Sequence, residues 1–305
     1  MTTITKPTNQ DLEDYIIDKK FRNLSDITLK NYNVIITRYL KWIENQEITD
    51  FNKNLKKYRN HLSKTLSPSS IRTHIITIKT FLNSLNYETK VELPKKKKSL
   101  PKAIRKKDID TIRLNIINES PKIKRKYKNY DEINLSTTLK RLPELSIRNL
   151  LIIDLLYTTG MRISELQKLN LKNIDITTGS IKILGKGNKE RIVYTKPSTL
   201  IILKTYLYKR TRKGKPEHEA VFLTNTGTRL QIRQLQNIVT TNAKKVGIKV
   251  SAHQIRHSMA VRMLEQGANL KTIQQLLGHE NISTTQIYLE LDDQRIKNDY
   301  SKVNF

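Results

Sequence analysis

The segment from His253 to Tyr288 combines side chains suited to phosphate chemistry. It holds half of the protein's six histidines, with His253 and His257 on either side of Arg256, and a tyrosine nine residues after His279. Imidazoles carry protons near neutral pH, a guanidinium can bind two phosphate oxygens at once, and a phenol can act as a nucleophile. The segment therefore indicates a reaction at a phosphate group.

The charge of the whole chain agrees with a phosphate-bearing partner. Lys and Arg total 57 against 28 Asp and Glu, which gives a net charge of +29 spread along most of the 305 residues. Such an excess favours nucleic acid over a membrane surface, although a basic structural protein fits the composition too. The absence of cysteine excludes disulfides and thiolate metal sites and, with no signal-like or membrane-spanning apolar run, predicts a cytoplasmic protein.

The chain must supply elements that position this segment, and its first 90 residues predict a bundle of four helices. Apolar residues recur at intervals of three and four, as in the stripe Leu29, Tyr32, Ile36, Tyr39 and Ile43. Helix-starting residues precede each stripe: Thr8 or Asn9, Ser25, Asp50, and Ser67 followed by Pro68.

Residues 91–107 differ from what precedes them and predict a linker. They contain eight basic residues, one acid and two prolines, without a helical stripe. The run Lys95, Lys96, Lys97 and Lys98 could follow a phosphate backbone or simply be a solvated spacer. A second polar stretch, residues 118–143, reads as a loop insertion.

The remaining residues, 108–305, predict a mostly helical domain with a small antiparallel sheet. A helix that is apolar nearly all round begins near Ser146 and ends at Gly160. Two short β-type runs, 181–184 and 191–194, flank a Gly- and Asn-rich turn, and a third strand is expected at 220–224. Further helices are expected at 231–245, 254–265, 270–277 and 283–289.

Five motifs in this order resemble one family. TGMRISEL, GKGNKER, HQIRH, LLGH and a tyrosine nine residues beyond LLGH resemble the tyrosine recombinases, above all the Xer-like and integrase-type site-specific recombinases. LSDITLKNYNVIITRYLKW and LSPSSIRTHIITIKTFL resemble that family's DNA core-binding domain. The resemblance implies a mainly α fold, in which a four-helix, SAM-like core-binding domain (1–90) and a catalytic domain (108–305) clamp double-stranded DNA.

The resemblance also implies a catalytic set and a role for each member. Tyr288 is the expected nucleophile, forming a covalent phosphotyrosine and releasing a 5′ hydroxyl. Two arginines would stabilise the pentacoordinate transition state, Lys186 would protonate the leaving oxygen, and His253 and His279 would shuttle a proton and bind a phosphate oxygen. The set is Arg162, Lys186, His253, Arg256, His279 and Tyr288.

Further residues are expected to support this set. Glu165 could orient Arg162 or a histidine, and His257 is expected to pack behind the site. DNA binding is expected from Arg72 and from Lys95–Lys98. Lys182 and Lys189 are rivals to Lys186, which is preferred because the family's lysine falls in the GKG position.

Other chemistries fit the residues less well. His253, His257 and His279 could imitate zinc ligands, but zinc would not explain Arg256 or Tyr288. Carboxylates are too scarce here for a two-metal nuclease, and no phosphate-cradling GxxxxGK[ST] loop indicates ATP. We therefore expect no metal and no cofactor.

Two further functions stay open: a non-catalytic DNA-binding protein on the same scaffold, and a topoisomerase-like relaxase with the same phosphotyrosine chemistry. The family also implies a homotetramer, or a heterotetramer with a related recombinase, on paired DNA sites. The residues after Tyr288, LELDDQRIKNDY, could then form a tail helix that docks on a neighbouring subunit.

Overall fold

A computed structural model describes residues 5–94, 103–124, 126–185, 190–211 and 219–278. The chain divides into two compact units, Met1–Ser99 and Leu100–Phe305. Within the described ranges, no helix is both long and apolar enough to cross a membrane.

The first unit contains four helices that begin at the predicted capping residues. They are α1 (Asn9–Phe21), α2 (Asp26–Ile43), α3 (Phe51–Ser63) and α4 (Pro68–Ser84). The caps Thr8, Ser25, Asp50 and Ser67 each accept a hydrogen bond from a backbone N–H of the first turn, which satisfies a donor that the helix itself cannot.

The apolar stripes of these helices meet in one core. Ile36, Tyr39, Leu55, Tyr58 and Ile75 are almost completely buried in it. Val91 is buried in the same core and Leu93 packs against it. The stretch outside the packed unit therefore begins later than the predicted linker boundary at residue 91.

The second unit begins with α5 (Lys106–Asn118), so Lys106 and Lys107 are helical and not part of a linker. The predicted loop insertion at 118–143 is wrong as a plain loop, because it contains α6 (Leu135–Arg141). It also buries Ile123, Tyr130, Ile133, Leu139 and Leu142 against the core of this unit. These spaced apolar residues anchor a stretch that is otherwise polar.

The central helix of this unit is α7 (Glu144–Thr159), whose apolar residues are buried all round as predicted. It ends at Gly160, which adopts the left-handed conformation with φ +62°, where a residue without a Cβ is least strained. The short helix α8 (Ile163–Lys168) follows at once, so Arg162 lies between two helix ends.

A three-stranded antiparallel sheet follows α8, in the order β1 (Ile174–Asp175), β2 (Ser180–Leu184) and β3 (Glu190–Tyr194). The predicted hairpin is confirmed, with Ser180 opposite Tyr194 and Leu184 opposite Glu190. The predicted strand at 220–224 is wrong: Ala220 and Leu223 form only isolated bridges, and the third strand is β1.

Four helices complete the described part of the unit. The sequence did not predict α9 (Pro197–Thr211), which packs along α7. The predictions for α10 (Ile232–Lys244), α11 (Ala252–Glu265) and α12 (Leu270–Leu277) are confirmed within two residues. The helix predicted at 283–289 lies outside the described residues.

Candidate active site

The site is built where α7 ends, α11 begins and α12 ends. Ser251 caps α11 by accepting from the backbone N–H of Gln254, and this fixes where the helix starts. His253 then lies in the first turn, exposed, and Arg256 lies one turn further in, buried. Residues three apart share a helix face, so both side chains are directed to the same region.

Three consecutive carbonyls at the C-terminus of α12 each accept a hydrogen bond from a different arginine. Arg191 Nε lies 2.8 Å from Leu276 O, Arg256 Nη2 lies 2.6 Å from Leu277 O, and Arg162 Nη2 lies 3.0 Å from Gly278 O. The last carbonyls of a helix have no partner within it and carry partial negative charge. The C-terminus of α12 therefore stabilises positively charged side chains.

Glu165 is the anionic centre of this cluster. Its Oε1 accepts from Arg162 Nη1 at 3.0 Å and from Arg191 Nη1 at 2.8 Å. Its Oε2 accepts from the backbone N–H of Arg162 at 2.6 Å and from Arg191 Nη2 at 2.7 Å, and Arg256 Nη1 is 4.0 Å away. One buried carboxylate thus holds three guanidinium groups together.

The charge state of Glu165 follows from these contacts. Burial acts to raise the pKa of its carboxyl group, but hydrogen bonds from Arg191 and from the Arg162 backbone and the nearby positive charges outweigh it, so the pKa is lowered. Glu165 is therefore ionised at neutral pH. Since three arginines surround one carboxylate, the cluster keeps an excess of positive charge.

Gly160 brings α7 close to α12. Its carbonyl accepts from Arg256 Nη1 at 2.6 Å. A Cβ at this position would lie 2.9 Å from a Leu277 methyl carbon and 3.0 Å from the Met259 sulfur. A larger residue here would have to move the ends of the Leu277 and Met259 side chains and would hold a strained left-handed backbone.

The three arginines differ in how far solvent reaches them. The side chain of Arg162 is 38% exposed, whereas those of Arg191 and Arg256 are 11% and 5% exposed. An approaching anion would contact Arg162 first. Arg191 and Arg256 lie deeper in the same cluster. A partly exposed, fixed guanidinium is well suited to phosphate binding.

His253 lies within the field of these cations. Although it keeps an exposed surface, partial removal of its imidazole from water lowers its pKa below the ordinary 6.5, and the charges of Arg256 and Arg162 lower it further. The ring is therefore neutral at pH 7 and able to accept a proton.

The structure thus brings together three members of the predicted catalytic set, Arg162, His253 and Arg256, and adds Glu165 at their centre. The other three lie outside the described residues: Lys186, His279 and Tyr288. His257 is buried within α11. In the part of the chain that the structure describes, no three His, Asp or Glu side chains are grouped as a metal site.

The predicted DNA contacts are only partly described. Arg72 donates from Nη1 to the Pro94 carbonyl at 3.2 Å, so it is bound to its own unit at the edge of the basic stretch. Lys95, Lys96, Lys97 and Lys98 lie outside the described residues. DNA binding by these residues remains a prediction.

Arg191 is the member of the cluster that the sequence analysis missed. A signal was present, because side chains of a strand alternate between two faces and Arg191 shares a face with the buried Val193. A charged residue on the buried face of a strand requires a partner. That partner is Glu165.

Comparisons with known proteins agree with this geometry. Residues 128–295 match the model of the phage integrase family. Tyrosine recombinase XerC of Vibrio cholerae is 32% identical over 251 residues, 78% of this chain and 72% of the relative. Tyrosine recombinase XerD of Lacticaseibacillus casei is 30% identical over 298 residues, 93% of this chain and 94% of the relative. The chain belongs to the phage integrase family and is a tyrosine recombinase.

Solved structures show the same fold at lower identity. XerH site-specific recombinase bound to difH substrate gives a TM-score of 0.69 at 22% identity, covering 97% of this chain and 85% of that one. A lambda integrase dimer bound to a COC' core site gives 0.65 at 16% identity, covering 92% and 94%. The predicted fold class, mainly helical with a small antiparallel sheet, is confirmed.

Proposed function

We propose that this tyrosine recombinase cuts and rejoins DNA strands at specific sites through a covalent 3′-phosphotyrosine formed by Tyr288, without metal or ATP. The observation that supports this most directly is the convergence of Arg162 and Arg256 on the C-terminus of α12, with His253 within the field of both arginines. In the sequence, His279 follows α12 and its Gly278 directly, and Tyr288 comes nine residues later.

The first step is a transesterification at phosphorus. The Tyr288 oxygen bonds to the scissile phosphorus as its proton passes to neutral His253, and the bond from phosphorus to the 5′ oxygen breaks. Lys186 protonates that oxygen, so the products are a 3′-phosphotyrosine and a 5′ hydroxyl. An unperturbed tyrosine has a pKa of about 10, so only about one molecule in a thousand is ionised at pH 7. A base that removes the proton therefore speeds the attack.

The arginines stabilise the charge that builds on the non-bridging oxygens during this step. Arg162 is reachable from solvent and held by Glu165, and Arg256 supports it from the buried side. His279 adds a hydrogen bond to a phosphate oxygen in this proposal. Loss of one fixed electrostatic contact of this kind typically slows a reaction about 100- to 1,000-fold.

Rejoining is the reverse reaction with a different 5′ hydroxyl. Because the phosphotyrosine ester keeps the energy of the broken phosphodiester, the second step needs no ATP. Exchange between two duplexes requires several active sites, and a lambda integrase tetramer has been solved on a Holliday junction. We propose a tetramer on paired sites here too, of one chain or of two related recombinases.

The DNA partner suits the basic composition. In this proposal Arg72 and Lys95–Lys98 contact phosphates, and the protein works in the cytoplasm on nucleoid DNA. The same paired exchange serves Xer-like resolution and the integration or excision of a mobile element.

Trapping the covalent intermediate tests the proposal. A random-sequence library of nicked duplexes, which lose the short 5′-hydroxyl fragment after cleavage, is incubated with the wild-type protein, and duplexes that become covalently attached are recovered. We expect a complex that survives denaturing gels and forms equally well in EDTA.

Two tyrosine variants define the nucleophile. Tyr288→Phe is expected to form no complex, because it lacks the attacking oxygen. Tyr208→Phe, which changes an exposed tyrosine of α9, is the matched control and should attach as the wild type does. Equal trapping by Tyr288→Phe, or a requirement for a divalent ion, would show the proposed chemistry to be wrong.

A further inference from the structure

Arg191 connects three parts of the catalytic unit. It lies on β3, it donates through both terminal nitrogens to Glu165 at 2.8 and 2.7 Å, and its Nε donates to Leu276 O at 2.8 Å. We propose that Arg191 is a positioning residue that keeps Arg162 available for phosphate and holds the end of α12 in place. This inference rests on the proposed function.

Competition for Glu165 is the first reason. Arg191 occupies both carboxylate oxygens, so the Arg162 side chain makes a single contact with Glu165, from Nη1 to Oε1. A buried carboxylate without Arg191 would attract a two-pronged contact from the nearest guanidinium, because such pairs are the strongest that arginine forms. That guanidinium is Arg162, which would turn towards Glu165 and away from solvent.

Packing at Gly278 is the second reason. Gly278 has φ +61°, and a Cβ there would lie 3.2 Å from Arg191 Nη1 and 3.4 Å from its Cδ. The Arg191 side chain therefore packs closely against Gly278, where α12 ends. Arg191 therefore fixes the backbone at Gly278, the last residue before His279 in the sequence.

The position of Arg191 in the hairpin is the third reason. It follows residues 185–189, which join β2 to β3 and include the proposed general acid Lys186. One side chain thus ties the hairpin strand to the carboxylate that orients Arg162. A shift of about 1 Å in a catalytic group can slow a reaction about 100-fold.

Three variants test the assignment on duplexes selected by the wild-type protein. Arg191→Met removes the charge and both prongs, and Arg191→Lys keeps the charge but loses the two-pronged geometry. Arg229→Met is the matched control, because Arg229 also donates hydrogen bonds within this unit. Its acceptors are the Gln167 and Leu169 carbonyls and Asn170 Oδ1 instead of Glu165.

The rate constant of covalent attachment is measured at saturating DNA in a single turnover, where unfolded protein lowers the amplitude but not the rate constant. We expect Arg191→Met to be slower by about 10- to 100-fold, with DNA affinity within about threefold of wild type. The rate constant of Arg191→Lys should lie between those of Arg191→Met and the wild type. Arg229→Met should have the wild-type rate constant. A rate constant for Arg191→Met within threefold of wild type would overturn the assignment.

A double-variant cycle tests whether Arg191 acts through Glu165. Once Glu165→Gln has removed the negative charge, Arg162 has little reason to turn away. Arg191→Met should then slow Glu165→Gln by less than about threefold, a strongly non-additive result. If the two losses multiply, Arg191 does not act through Glu165.

Hydrogen exchange tests the second role without DNA and independently of the proposed function. In Arg191→Met, the amides at the C-terminal end of α12 should exchange about tenfold faster, because a hydrogen bond from a charged group is lost there. Arg229→Met should leave them unchanged. Unchanged exchange in Arg191→Met would exclude Arg191 as the residue that holds α12, whatever the DNA assays show.

Discussion

At the scale of single residues, the site depends on side chains whose charge states are set by their neighbours. His253 is held neutral by partial burial and by two arginines, while Glu165 is held ionised by hydrogen bonds from Arg191 and Arg162. The same cations thus keep a base unprotonated and an acid deprotonated. Both effects follow from placing positive charge where water is partly excluded.

The pKa of His253 gives a test at this scale. Arg162→Met removes a positive charge that disfavours the imidazolium, so the pKa of His253 should rise from its lowered value towards 6.5. NMR titration of the imidazole C–H signals in the DNA-free protein measures it, with Arg229→Met as the control that leaves it unchanged. A wild-type pKa above 6.5 would contradict the electrostatic account.

The pH dependence of cleavage follows from the same shift. If neutral His253 accepts the Tyr288 proton, attachment should be constant from about pH 8 down to about 6.5 and should fall only as the pH passes through the lowered pKa. In Arg162→Met, the fall in the residual activity should begin at a higher pH.

The motifs that resemble the tyrosine recombinases predicted Arg162, His253 and Arg256, and the structure brings these three residues near one another. Their catalytic roles stay predictions. Arg191 was harder to find because it is one of 57 basic residues, and a basic residue in a folded protein is usually exposed to solvent. Its inward position in β3 is a clear signal only when the register of the hairpin is known. Its partner Glu165 lies 26 residues earlier, beyond any local pattern.

At the scale of elements, the contact between the end of α7 and α12 depends on Gly160. Gly160→Ala combines a left-handed backbone, which costs about 1–2 kcal/mol for an L-residue, with overpacking against Leu277 and Met259, which costs about 1–3 kcal/mol. We expect the free energy of unfolding of this unit to fall by about 2–5 kcal/mol, measured by urea titration.

Gly247→Ala separates the two causes. Gly247 also has a positive φ, +72°, but a Cβ there would have no neighbour within 4 Å. Gly247→Ala should therefore lower the free energy of unfolding only by the cost of the left-handed backbone, about 1–2 kcal/mol. Equal losses in the two variants would show that the close approach of α7 and α12 adds nothing.

Elements with strong local signals could be predicted from the sequence. Capping residues and apolar stripes located α1 to α4, and the Gly- and Asn-rich turn located the hairpin. The run Ala220–Leu223 misled because it is apolar and fully buried, and burial without strand pairing leaves the same pattern in a sequence. Helix α9 carried one usable signal, Pro197 in its first turn, which favours a helix start.

At the scale of the whole molecule, charge should control DNA affinity. If about six phosphates are contacted, the association constant should fall roughly a thousandfold between 50 and 200 mM salt. Replacing Lys95, Lys96, Lys97 and Lys98 with glutamine should make the logarithmic salt dependence shallower, by about 0.9 for each lysine that contacts a phosphate. Fluorescence anisotropy across a salt series measures the slope.

The second basic run supplies a control with the same change in net charge. Lys122, Lys124, Lys126 and Lys128 lie in the stretch before α6, and replacing all four should leave the slope nearly unchanged. If the salt dependence becomes equally shallow in both variants, the effect comes from overall charge. Specific phosphate contacts by Lys95–Lys98 would then be excluded.

The joining of three arginines to the last carbonyls of α12 has a consequence for protein synthesis. Arg162, Arg191 and Arg256 are all made before Leu276, Leu277 and Gly278, the residues whose carbonyls fix them. On the ribosome, the cluster cannot close until residue 278 has left the exit tunnel. A growing chain that already carries the positive charge of its first half therefore lacks the assembled arginine cluster. DNA cleavage requires translation to have passed α12.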